Sequence, residues 1–81
     1  MNVKKLKGKI IEKGTNVAEL AKIIGVNKST LYRKLKNNGD DISIKEAKSM
    51  INALQLNLEE VNAIFFNQFI AYNATKEKAK N

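Results

Sequence analysis

The sequence has no cysteine, no histidine and no proline among its 81 residues. The lack of cysteine and histidine excludes disulfides, thiol and imidazole catalysis, and the usual zinc ligands. No stretch of about 18 apolar residues that could cross a membrane is present, and the N-terminal segment lacks the apolar run of a signal peptide. We therefore expect a cytosolic protein, and we expect no metal, no cofactor and no small-molecule ligand.

Hydrophobic residues make up 43% of the chain and charged residues 28%, which is typical of a folded globular domain rather than a disordered segment. A chain of this length is enough for one hydrophobic core and too short for two. The absence of proline leaves every helical segment uninterrupted. These features predict a single all-α domain.

The net charge of +7 is unevenly distributed. Residues 1–38 hold ten basic and two acidic residues, whereas residues 39–81 hold five basic and six acidic residues. The whole excess of positive charge therefore lies in the first half. This asymmetry indicates that the first half faces a polyanion, and nucleic acid fits better than an acidic membrane surface.

Capping residues mark where the helices begin. An asparagine or serine is followed three residues later by a glutamate at three places, and each pair can form a capping box; the pairs are Asn16 with Glu19, Ser43 with Glu46, and Asn57 with Glu60. Asn27 is a plainer N-cap for another helix. Apolar residues follow at helical spacing, and glycines that can end a helix stand at positions 14, 25 and 39.

These signals predict five helices, at about residues 3–13, 17–24, 28–37, 44–54 and 58–66. The segment NNGDD, which begins at Asn37, is also typical of a hairpin turn. No alternating strands flank it, so we interpret it as the loop between the third and fourth helices. Residues 1–66 are assigned to the helical domain, and residues 67–81 to a C-terminal arm with a frayed end.

The stretch VAELAKIIGVNKSTLYRKLKN, residues 17–37, places a glycine between two of these helices. Ala21 is small enough for the helices to approach closely, and Gly25 can adopt a left-handed turn. Val26 and Leu31 can hold the second helix against the first. This pattern predicts a helix-turn-helix.

The exposed side of the second helix is polar and basic. At about 100° per residue, the side opposite Leu31 and Leu35 carries Ser29, Arg33, Lys36 and Asn37, flanked by Thr30 and Tyr32, with Lys28 in the first turn. A DNA major groove accepts a helix and presents base edges to such side chains, while phosphates on either side attract lysines. A merely solvated lysine-rich face is the alternative, and the glycine-centred bend favours DNA.

These residues resemble the helix-turn-helix of the Cro and phage-repressor family, also called the xenobiotic-response-element family of bacterial regulators. The resemblance extends from about Val3 to Phe66, and the LNLEEV segment after Leu54 is similar to the family's later helices. The matching motif is Leu20-Ala21, Ile24-Gly25-Val26 and Ser29-Thr30-Leu31.

The resemblance implies a five-helix, lambda-repressor-like DNA-binding domain that binds a palindromic operator as a homodimer. It implies a transcriptional regulator, such as a repressor or Cro-like protein of a phage or prophage, with the helix at about residues 28–37 in the major groove. Carried over by position, Lys28, Ser29 and Arg33 contact bases. By the same comparison, the residues that contact the DNA backbone are Asn16, Asn27, Tyr32 and Lys36.

Two positions depart from the family pattern. Val17 stands where the family usually has glutamine, and Lys34 stands where it usually has an apolar residue. We expect Leu35 to take over the packing role of that apolar residue.

The C-terminal part of the chain is rich in apolar side chains. Phe65 is expected to close the monomer core. The remaining apolar residues either pack on that core or form a dimer interface, because an exposed patch of this size usually binds a partner; the residues assigned to the interface are Phe66, Phe69, Ile70 and Tyr72.

The main alternative function is protein interaction, for example by an antitoxin or antirepressor that docks a partner through the C-terminal aromatic cluster. RNA binding is less well supported, because the sequence has no basic and aromatic stacking platform. The adjacent acidic pairs at 40–41 and 59–60 suit a loop and a helix N-terminus. Ser29 lacks an oriented base, so we expect no enzymatic activity.

Overall fold

The structure, a computed structural model, describes residues 1–66, and these residues form helices joined by short loops. The helix α1 comprises Val3–Glu12, α2 Val17–Ile24, α3 Lys28–Lys36 and α4 Ile44–Leu54. A fifth helix, α5, covers residues 58–66 within the described region, which contains no strand. The predicted all-α class and the five helices are confirmed. The ends of α1 and α3 lie one residue earlier than predicted, because Lys13 and Asn37 are cap residues with non-helical ψ angles.

Side-chain caps explain where the helices begin. The capping boxes predicted at Ser43 and Asn57 are complete, since each side chain accepts from the glutamate amide and each glutamate accepts from the cap amide. Asn16 accepts from the amide of Glu19 at 2.9 Å, and Asn27 accepts from that of Ser29 at 2.8 Å. Helix α1 has a cap that was not predicted from the sequence: Asn2 accepts from the amide of Lys5 at 3.0 Å.

The helices α1 to α4 share one way of ending. After each, a residue with positive φ lets two successive amides bond back to helix carbonyls, which is the Schellman arrangement. The sequence predicted that a glycine would be the left-handed residue at three of these ends. Glycine has this role after α1 and α2 only. Asparagine and glutamine take this place after α3 and α4, so the first left-handed residue after each helix is Gly14 (φ 75°), Gly25 (79°), Asn38 (61°) and Gln55 (51°) in turn.

The loop between α3 and α4 combines two left-handed residues. Asn38 and Gly39, at φ 61° and 72°, form the middle of a turn closed by the Asp40 amide bonding to the Asn37 carbonyl at 3.3 Å. A Cβ at Gly39 would overlap the side chain of Met1, so glycine allows the N-terminus to pack on this loop. The Asn-Gly pair therefore forms a tight turn, as its composition suggests, inside an interhelical loop rather than a hairpin.

The core is wholly apolar in the described region. Its buried residues come from all five helices and from the α3–α4 loop; they are Leu6, Ile10, Leu20, Ala21, Leu31, Leu35, Ile42, Ala47, Met50, Leu54, Ile64 and Phe65. Among α1 to α4, helix α2 packs against each of the other three. The expected burial of Phe65 is confirmed, whereas Leu58, the first residue of α5, is 76% exposed.

Helices α1 and α5 are held together by polar contacts at their surface. The Asn2 amide donates to the Ile64 carbonyl at 2.8 Å, and the Lys9 ammonium pairs with Glu60 of α5 and with Glu12 of its own helix. Hydrogen bonds to Glu12 and Glu60 raise the pKa of Lys9. The hydrogen bond from Lys9, with a second from the Asn57 amide, lowers the pKa of Glu60.

The lowered pKa of Glu60 makes the fold sensitive to acid. A carboxylate whose pKa is lower in the folded chain contributes stability above its unfolded-state pKa, about 4.3, and loses that contribution as the pH falls through the folded-state value. We expect the urea midpoint of native protein to drop more between pH 6.5 and pH 3 than that of Glu60→Gln. Glu59→Gln, which alters an exposed neighbour, should behave as native. An equal drop in native protein and Glu60→Gln would contradict the ion pair.

Candidate nucleic-acid interface

The helices α2 and α3 meet at a turn centred on Gly25. The amides of Gly25 and Val26 donate to the carbonyls of Lys22 at 3.3 Å and Ala21 at 2.9 Å. The left-handed φ of 79° at Gly25 reverses the chain without a Cβ penalty. Ala21 is buried below the turn, where its small side chain allows close helix packing. The sequence motif thus folds into a helix-turn-helix.

The packing of α3 determines which of its side chains reach solvent. Leu31 and Leu35 are buried against the rest of the core. Opposite them, a continuous outward face consists of Ser29, Arg33 and Lys36, all exposed. Lys28 is also exposed, in the first turn of α3. Of the three residues predicted to contact bases, the structure therefore brings Ser29 and Arg33 to the same side of α3, whereas Lys28 projects from its first turn.

The four residues predicted to contact the DNA backbone are all exposed, and one of them, Lys36, belongs to the outward face itself. Asn16 and Asn27 use their side-chain oxygen as an N-cap acceptor, which leaves the amide NH2 of each as the group able to donate to a phosphate. Tyr32, which is 53% exposed, lies at the edge of α3 next to α1. Lys36 lies near the C-terminal end of the same helix.

Lys34 has a different environment from its basic neighbours on α3. Its ammonium donates to both carboxylate oxygens of Glu46 on α4, at 2.9 and 3.0 Å, and the contact is partly buried. Partial burial alone would raise the pKa of Glu46, but hydrogen bonds from the Ser43 amide and Lys34 lower it below its ordinary value. Leu35 is buried, as expected for the residue that takes over packing. The ion pair itself was not predicted.

An acidic side chain lies at the C-terminal end of the outward face. Asp41 lines a shallow cleft together with Arg33, Lys36 and Asn37, and the Asn37 amide group donates to its carboxylate at 3.2 Å. The hydrogen bond closes the start of the α3–α4 loop, as the loop-shaping interpretation of this aspartate requires. Its negative charge also repels a phosphate at this end of α3.

Lys7 of α1 is a candidate contact that was not predicted from the sequence. It lines an open groove with Ile11, Thr15, Asn16 and Tyr32, so α1 borders the outward face on the Tyr32 side. Its exposed ammonium therefore lies beside two of the predicted backbone contacts. The basic composition of α1 was visible in the sequence, but the side of α1 that adjoins α3 depends on tertiary packing.

The predicted dimer interface is only partly described. Phe66 is 57% exposed, and Leu58, about two helical turns earlier in α5, is 76% exposed. Phe69, Ile70 and Tyr72 lie outside the described residues. The division of the chain at residue 66 also remains a prediction.

Other kinds of site have no counterpart in the described region. Within residues 1–66, no group of three or more acidic, histidine or cysteine side chains is arranged to hold a metal ion. None of the helices in that region is long and apolar enough to cross a membrane.

The model of the Cro/C1-type HTH DNA-binding domain matches residues 5–66, from α1 through α5. The chain belongs to this family, and it is a DNA-binding regulator with the all-α, lambda-repressor-like fold. The predicted family is therefore confirmed. No curated protein and no solved structure matches the chain significantly.

The position of Lys7 leads to a test of the α1 edge. If its ammonium contacts a DNA phosphate, Lys7→Ala should weaken binding to a duplex. The slope of log K against log salt should also become less negative by about 0.9, because one phosphate is no longer neutralised. Lys5→Ala removes the same charge from the other side of α1 and serves as the matched control. Fluorescence anisotropy over a salt series measures both slopes. Equal salt slopes for Lys7→Ala and Lys5→Ala would contradict a phosphate contact by Lys7.

Proposed function

We propose that the protein binds double-stranded DNA sequence-specifically, as a homodimer on a palindromic operator, and regulates transcription as a phage or prophage repressor or Cro-like protein. The helix α3 enters the major groove. The protein acts in the cytoplasm, needs no cofactor and catalyses no reaction. The observation that carries this proposal is the outward face of α3, which presents Ser29, Arg33 and Lys36 together on a helix held by the helix-turn-helix.

The side chains of this face suit base and phosphate recognition. The planar guanidinium of Arg33 can donate two parallel hydrogen bonds to the O6 and N7 atoms of guanine. Ser29 can donate to or accept from any base edge, and Lys28 adds a donor at the N-terminal end of α3. Phosphate oxygens accept from Asn16, Asn27 and Tyr32 on the flanks and from Lys36 on the face itself, and these contacts fix the position of α3 in the groove.

Dimerisation provides the second half of the operator contact. Two copies of α3 separated by one DNA turn, about 34 Å, match half-sites of opposite orientation. The exposed ring of Phe66 supports an interface on α5, and Leu58 is a second exposed apolar side chain of this helix. Phe69, Ile70 and Tyr72 are assigned to this interface from the sequence.

The alternative function also has an observation in its favour. Phe66 and Leu58 are exposed apolar side chains, and such a surface suits a protein partner of an antitoxin or antirepressor as well as a second copy. Under that alternative, reversing the charge at Arg33 leaves function intact and changes at Phe69 abolish it. The DNA proposal requires Arg33 as well.

Selection of bound duplexes from a random DNA pool tests the proposal. Native protein should enrich a palindrome, and Arg33→Ala should lose the preference at one position in each half-site, with a cost of about 1–3 kcal/mol there. Lys36→Ala is the matched comparison on the same face. It should weaken binding to all sequences alike, because a phosphate contact carries no base information.

Enrichment of no sequence above a salt-sensitive background would contradict the proposal. A protein partner of the α5 surface would then be the better explanation of the exposed apolar residues.

A further inference from the structure

The Lys34–Glu46 ion pair lies at the edge of α3 that faces α4. At about 100° per residue, Lys34 is about 60° round the helix from Leu31, on the side away from Leu35 and Tyr32. Lys34 and Glu46 both line the cleft between the helix-turn-helix turn at Gly25 and the first turns of α4. The pair therefore bridges α3 to α4 beside the turn, outside the groove that Lys7 borders.

Glu46 is itself held in place by the backbone. Its carboxylate accepts from the Ser43 amide at 2.9 Å, and the Ser43 hydroxyl accepts from the Glu46 amide at 3.0 Å, which closes the capping box of α4. The partner of Lys34 is thus anchored to the N-terminus of a helix whose inner side is buried at Ala47 and Met50. Because this carboxylate is fixed, its bond to Lys34 restrains sideways movement of the lysine. An exposed ion pair between two mobile side chains would restrain it much less.

Apolar packing alone leaves one motion of α3 weakly restrained. Its two buried side chains, Leu31 and Leu35, lie on one narrow stripe. Packing on a single stripe resists separation of α3 from the core more than it resists rotation of α3 about its own axis. Rotation moves Arg33 and Ser29 relative to the base edges, so the direction of the outward face depends on a lateral contact.

We infer that the ion pair between Lys34 of α3 and Glu46 of α4 is a positioning device that sets the rotation of the DNA-binding helix. This inference rests on the proposed DNA-binding function. Lys34 is a positioning residue: it acts through Glu46 and does not contact DNA. The competing explanation treats Lys34 as a phosphate-binding lysine that Glu46 partly neutralises.

The two explanations predict opposite effects of Glu46→Gln. Glutamine keeps the size of glutamate and can still accept from the Ser43 amide, so the capping box is preserved. The change also adds one unit of positive charge, which on its own favours DNA. If the pair positions α3, Glu46→Gln should weaken operator binding by about two- to fivefold, the factor that corresponds to removing a pair of this exposure. If Lys34 binds phosphate, the same change should tighten binding.

Lys34→Met provides the complementary change, because methionine keeps an unbranched apolar stem without the charge. We expect a similar two- to fivefold decrease in affinity, an unchanged salt dependence, and no further decrease in the Lys34→Met/Glu46→Gln double variant. Lys34→Arg, which retains the pair, should restore most of the affinity. Glu59→Gln makes the same charge change on α5 and is the control, with affinity equal to or above native. Thermal unfolding by circular dichroism verifies that each variant is folded.

A measurement without DNA separates this inference from the proposed function. In the free protein, amide NMR shifts of Glu46→Gln should change along α3, including Arg33, and stay unchanged in α1. Failure of native protein to bind any duplex would overturn the proposed function and, with it, the role in DNA positioning. Each of three results would overturn the inference. They are unchanged amide shifts in α3, tighter DNA binding by Glu46→Gln, and a salt slope that is smaller by about 0.9 in Lys34→Met.

Discussion

The burial of Leu31 and Leu35 is the constraint on which the rest of the interface depends. These two side chains attach α3 to the apolar core, where it packs against α2. With that stripe turned inward, the helical repeat leaves Ser29, Arg33 and Lys36 on the opposite side. The close approach that makes the arrangement possible comes from small Ala21 and left-handed Gly25 at the turn. Packing therefore selects the chemical composition of the outward face of α3.

Some lysines of the described region form ion pairs between helices, and others are exposed on and beside α3. Lys9 pairs with Glu60 and Lys34 with Glu46, so both connect helices of the scaffold. Lys7, Lys28 and Lys36 are exposed around α3 and remain suited to a polyanion. The net positive charge of the first half is therefore an incomplete guide to the interface. What matters is which ammonium groups have a carboxylate from another helix within reach.

Local signals in the sequence were sufficient for the helices and the turn. Caps, left-handed glycines and apolar spacing act within four residues or so, and the structure confirms Ser43, Asn57 and Gly25 in the predicted roles. Features that depend on tertiary packing could not be predicted from these local signals. The exposure of Leu58, the pairing of Lys34 and the position of Lys7 beside Tyr32 each depend on a neighbour distant along the chain. The left-handed Gln55 also has no local signal of the kind glycine provides.

The central claim is that α3 lies in a DNA groove, and affinity cleavage tests it most directly. Since the chain contains no cysteine, Lys36→Cys carries the only thiol and accepts an iron chelate that cuts nearby DNA. On the duplex enriched by native protein, we expect two strong cutting sites related by two-fold symmetry, one in each half-site. The same chelate on Glu59→Cys of α5 should cut weakly. Equal or stronger cutting from position 59, or uniform cutting from position 36, would contradict the account.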